Sequence, residues 1–120
     1  MKFIRELYSA LLSGRHQGKA IKLSKRGQYQ EALNRYKLAL FYEGKNGTGP
    51  NPATLECLAR TYARLGNLKE ALAAATESYN LYRRLDSKNK LIEASIIRVE
   101  GFITALKSEN MDGINKTLTI

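Results

Sequence analysis

The sequence predicts an all-α protein built as a stack of antiparallel helical hairpins, and three observations predict it. The chain aligns with itself: Gly27-Gln28-Tyr29-Gln30-Glu31-Ala32-Leu33 returns as Gly66-Asn67-Leu68-Lys69-Glu70-Ala71-Leu72, 39 residues later. A period in this range marks repeat architectures whose units bury their apolar faces on one another. Apolar residues recur at intervals of three and four over long stretches, and no segment shows the alternation of a half-buried strand. The third observation is size: 120 residues with 43% hydrophobic content can fill one core, and nothing marks a second domain.

Helices are expected over residues 2 to 13, 15 to 26, 28 to 43, 52 to 65, 68 to 84, 89 to 107 and 111 to 118. The first carries Phe3, Ile4, Leu7, Tyr8, Leu11 and Leu12 on one face, with Lys2, Arg5, Glu6 and Ser9 opposite. Residues 1–14 are thus read as an N-terminal amphipathic helix with three uses: a cap over the first hairpin, a contact between two copies, or a segment lying on an anionic membrane. Capping is preferred. Residues 16–43 form the first repeat and 52–84 the second. Gly27 and Gly66 end their first helices in left-handed geometry, which glycine adopts without a Cβ penalty. After each turn, Tyr29, Ala32, Leu33, Tyr36, Ala39 and Leu40 match Leu68, Ala71, Leu72, Ala75, Ser78 and Tyr79 as one helical stripe. Between the repeats, Gly44 to Pro52 is dense in turn formers, with Asn51 suited to an N-cap and Pro52 to the first helical position. In residues 89–118 the apolar run from Leu91 to Leu106 has helical spacing and reads as a buried helix, with Met111, Ile114 and Leu118 on its partner, a divergent third or capping hairpin.

The matched positions resemble the tetratricopeptide repeat over roughly residues 16 to 82. Ala20 and Ala59 stand at that family's small residue in the first helix, Leu23 and Tyr62 at the large residue three positions on. Gly27, Tyr29 and Ala32, then Gly66, Leu68 and Ala71, stand at its turn glycine, following large residue and second-helix alanine. The resemblance implies a right-handed α-α superhelix that binds a peptide or helix in a concave groove. On the matched register the groove residues are Gln17, Ile21 and Lys25 with Glu56, Arg60 and Arg64. Positions that hold a carboxylate clamp in chaperone-binding members are here Gln17, Ile21 and Cys57, so that clamp is not carried over. Ala20 to Tyr42 is also similar to part of a microtubule-interacting-and-transport domain, a three-helix peptide binder.

The residue types for catalysis are sparse. A metal site needs converging ligands, yet the chain has one histidine, His16, and one cysteine, Cys57. Both are expected to pack or to lie on the surface. Glu31 and Glu70 sit in first helical turns, where negative charge suits the helix dipole. No catalytic, cofactor or metal site is expected. A lone cysteine and the lack of a long apolar run lead to the expectation of a cytoplasmic protein.

Charge is asymmetric. The net charge is +9, and residues 1 to 26 hold seven Lys or Arg against the single Glu6. Arg15, Lys19, Lys22 and Arg26 are spaced to lie on one helical face. The expected function is therefore a non-enzymatic adaptor that takes an acidic peptide or helix in a basic groove. The alternative is a basic module for nucleic acid or anionic lipid, acting through that stripe.

Overall fold

A computed structural model describes residues 2–45, 49–85 and 89–118, and every regular element among them is helical. In chain order they are α1 (Lys2–Lys25), α2 (Tyr29–Lys45), α3 (Pro52–Arg64), α4 (Leu68–Arg83), α5 (Lys90–Ser108) and α6 (Met111–Leu118). Each helix packs on the next in sequence, and α6 also folds back onto α3. The molecule is a slab of 49 × 36 × 21 Å. A helix with its side chains is about 10–12 Å across, so the thin dimension is two helices deep.

The sequence repeat is a repeat of backbone geometry. Gly27 and Gly66 have φ of 76° and 82°. Around the first, Gln28 N–H donates to Leu23 O at 3.0 Å and Gly27 N–H to Ser24 O at 3.0 Å. Around the second, Asn67 N–H donates to Tyr62 O at 2.9 Å and Gly66 N–H to Ala63 O at 3.0 Å. Both are Schellman closures, which satisfy the last carbonyls of a helix and turn the chain. The matched alanines Ala20, Ala32, Ala59 and Ala71 are all 0% exposed, so each hairpin closes backbone to backbone through methyl groups. Larger side chains, among them Leu33, Tyr36, Leu55, Leu58 and Phe102, complete one continuous core. As expected, Asn51 caps α3, its Oδ1 accepting from Ala53 N–H at 2.9 Å with Pro52 following.

Three expectations are corrected. The first two predicted helices are one: α1 runs unbroken through Gly14 for 24 residues. A mid-helix glycine costs only about 1 kcal/mol, less than the packing of α1 on α2 returns. Second, the N-terminal segment does not cap the first hairpin. Gly27 pins the C-terminus of α1 beside the N-terminus of α2, and α2 has only 17 residues, so about 10 Å of α1 projects past the end of its partner. The inward side of this region carries the buried Ser9 and Ser13, while Phe3 and Leu11 are 74% and 66% exposed. Third, α5 is not buried along its length. Val99, Phe102 and Leu106 are core, but Leu91 and Ile97 are 79% and 70% exposed. The eight residues of α6 cover about 12 Å, less than half of α5, and Met111 stays exposed while Ile114 and Leu118 are buried. Of the predicted loop from Gly44 to Pro52, Gly44 and Lys45 are helical, and Asn46, Gly47 and Thr48 lie outside the described residues.

Candidate functional site

The residues predicted to bind a partner, groove and basic stripe together, divide into three environments. Gln17 is internal. Its Nε2 donates to Glu43 Oε2 at 2.8 Å and also contacts Thr54 Oγ1. Glu43, buried at the end of α2, accepts further hydrogen bonds from Thr54 Oγ1 at 2.7 Å and Asn51 N–H at 2.9 Å. One carboxylate thus joins α1, α2 and the N-terminus of α3, and all three donors are neutral. Ile21 and Lys25 are exposed on α1, and share no hydrogen bond or ion pair with the other groove candidates among the described residues.

Glu56, Arg60 and Arg64 form the second environment, on α3. Glu56 is buried and receives Arg98 of α5 in a two-pronged pair, Nε to Oε2 at 2.6 Å and NH2 to Oε1 at 2.7 Å. Arg60 donates to Oε2 through Nε at 3.3 Å and NH2 at 3.2 Å, and Tyr82 of α4 donates its hydroxyl to Oε1 at 3.1 Å. Burial pushes the Glu56 carboxyl up, but Arg98, Arg60 and Tyr82 together outweigh burial and hold it below its ordinary 4.5. Burial and then the neighbouring Glu56 carboxylate raise the Tyr82 hydroxyl to about 12, which keeps it a donor. Glu56 is therefore a hub between α3, α4 and α5, not an open groove side chain. Sequence reasoning missed Arg98 and Tyr82. The only sequence trace of Arg98 was a cation within the apolar run from Leu91 to Leu106, and Tyr82 left none.

The two arginines of α3 have a second role. Arg60 NH1 donates to Thr117 O, and Arg64 NH2 to Leu118 O at 2.7 Å. They cap the C-terminal carbonyls of α6, the end of a helix where cations are favoured. Each guanidinium also stacks on an aromatic ring, Arg60 5.1 Å from the Phe102 centroid and Arg64 5.2 Å from that of Tyr29. Arg64 is exposed, whereas Arg60 is half-buried. Beside the end of α6 lies an open trough walled by Arg60, Ala94, Ile97, Arg98, Gly101 and Thr117, and its walls are almost entirely apolar.

The third environment is the outer edge of the first hairpin. Arg15, Lys19, Lys22 and Arg26 are all exposed, as their spacing predicts. Lys19, Lys22 and Arg26 meet Arg35 of α2 around one hollow, with Glu31 as its single carboxylate. His16 lies at the margin of this cluster, stacked on Tyr42 with centroids 5.6 Å apart and with Nδ1 3.1 Å from Arg35 NH1. Burial, then the charges of Arg35, Lys19 and Arg15, lower its pKa below 6.5, so Nδ1 accepts from the guanidinium. Cys57 is half-buried against Tyr36, and burial raises its thiol pKa, which disfavours the reactive thiolate. Among the described residues no helix is long and apolar enough to cross a membrane, and no three His, Cys, Asp or Glu gather as metal ligands. Comparison of the chain with family models, curated proteins and solved structures finds no match.

Proposed function

We propose that the chain is a protein-interaction module of the tetratricopeptide type, without catalytic activity, that holds an apolar peptide or helix on the face formed by α3 and α5. The observation that carries this reading is α6 itself. A short helix already occupies that face, with Ile114 and Leu118 buried and its terminal carbonyls held by Arg60 and Arg64. The adjoining trough continues the same surface with Ala94, Ile97 and Gly101 between Arg60 and Arg98. Two guanidiniums against the one Glu56 carboxylate leave a positive charge, and Arg64 adds another. The fitting partner carries apolar side chains three or four residues apart and an acidic or C-terminal carboxylate beside them.

Peptides selected from a displayed library on the full-length chain, with affinities read by fluorescence anisotropy, test this. Ile97→Asp should weaken the selected peptides at least about tenfold, because it sets a carboxylate in the apolar wall. The melting temperature should hold, since Ile97 is exposed. Peptides indifferent to Ile97→Asp would place binding elsewhere.

A further inference from the structure

We propose that the outward face of α1 docks this protein on the surface of an anionic lipid bilayer. This goes beyond the α3–α5 face and does not depend on it. Ile4, Leu7, Leu11, Arg15, Gly18 and Lys22 follow one another at intervals of three and four along α1, so they form a single line on one side of the helix. The line is apolar at its N-terminal end, where Phe3 and Tyr8 widen it, and cationic at its C-terminal end, where Lys19, Arg26 and Arg35 widen it. Ile4 and Leu7 belong to the turns of α1 that project past α2, and Leu11 lies on the side of α1 turned away from the buried Ser9 and Ser13, so all three stay exposed. None of Arg15, Lys19, Lys22, Arg26 and Arg35 forms an ion pair with a described residue, and Glu31 is the single carboxylate in their hollow, which leaves the outer edge with an excess of positive charge.

The occupant must match both ends of the line. A second copy would cover the leucines but would press Lys2, Arg5 and their like-charged neighbours together, in a chain already at +9. A nucleic acid would match the cations and leave Phe3, Leu7 and Leu11 in water. An anionic bilayer supplies phosphate and carboxylate headgroups over an apolar layer, and a surface helix buries its apolar side about 5–10 Å into that boundary. The projecting turns of α1 reach that depth, while the Lys19, Lys22, Arg26 and Arg35 hollow faces the headgroups.

Flotation of the full-length chain with vesicles of phosphatidylcholine alone, and of phosphatidylcholine with phosphatidylserine, tests this at low and high salt. Binding is expected only to the serine-containing vesicles, falling as salt rises. Leu7→Asp with Leu11→Asp should weaken partitioning at least about tenfold, and Lys19→Gln with Lys22→Gln roughly thirtyfold. All four positions are exposed, so melting temperatures equal to the parent's should accompany the loss. Absence of binding to serine-containing vesicles overturns the proposal, as does binding that ignores the leucine substitutions. A parent that scatters light as a dimer and becomes monomeric in Leu7→Asp with Leu11→Asp, without binding vesicles, assigns the face to a second copy. RNA binding without vesicle binding also overturns it.

Discussion

Glu56→Gln removes the negative charge on which α3, α4 and α5 converge while keeping the side chain's size. In the parent, Arg98 and Arg60 both lie on this carboxylate, and their side chains are 38% and 16% exposed. Breaking a fully buried ion pair costs about 3–5 kcal/mol. Here the guanidiniums recover part of their hydration and the amide oxygen still accepts from Tyr82, so the expected loss is about 2 kcal/mol. For a domain of this size that corresponds to a fall of about 8 °C in melting temperature. The pH dependence provides a second readout. The folded carboxyl titrates below the 4.5 of the unfolded chain, so its stabilising contribution is complete above that value and is lost as pH falls through the folded pKa. The parent should therefore lose stability on acidification more steeply than Glu56→Gln. Thermal melts followed by circular dichroism across this range, with Arg98→Met completing a double-mutant cycle, measure both effects. A Glu56→Gln protein that melts within about 1 °C of the parent, with the same acid profile, would refute the hub.

Two further substitutions test the repeat itself. Gly66→Ala should cost about 1 kcal/mol, read as a shift in the urea midpoint. An added Cβ there meets nothing within 4 Å, so the cost comes from φ alone, and a null result would deny the left-handed turn. Ala71→Arg should cost several kcal/mol, since it combines overpacking with a buried charge at a fully enclosed methyl. A melting temperature equal to the parent's would remove the close hairpin contact on which the register rests.

The turns, the hairpin alanines and the Asn51 cap were legible in the sequence because each rests on a local requirement: a positive φ, a small residue at a close approach, an unsatisfied N–H. What was not legible depends on how far a neighbour reaches. Phe3, Ile4, Leu7, Tyr8 and Leu11 have the spacing of a core stripe, but α1 turns Ser9 and Ser13 inward and α2 ends short of its first turns, which leaves them uncovered. Leu91 and Ile97 look like core for the same reason, and the eight residues of α6 decide otherwise. Glu56 and Gln17 occupy positions that read as a groove, but their partners come from distant segments: Arg98 for one, Glu43 and Thr54 for the other. Helical periodicity says which residues share a face and is silent on what faces them. The arginines of α3 were identified as binding residues, and the helix they grip lies more than 50 residues further along the same chain.

The α3–α5 face, beside α6, is proposed to receive a partner segment. Amide chemical-shift mapping of the full-length chain, titrated with a library-selected peptide, tests it most directly. The largest changes are expected to cluster at Arg60, Ala94, Ile97, Arg98, Gly101 and Thr117, with α1 unaffected. Changes confined to Arg15, Lys19, Lys22, Arg26 and Arg35, with the trough silent, would contradict it.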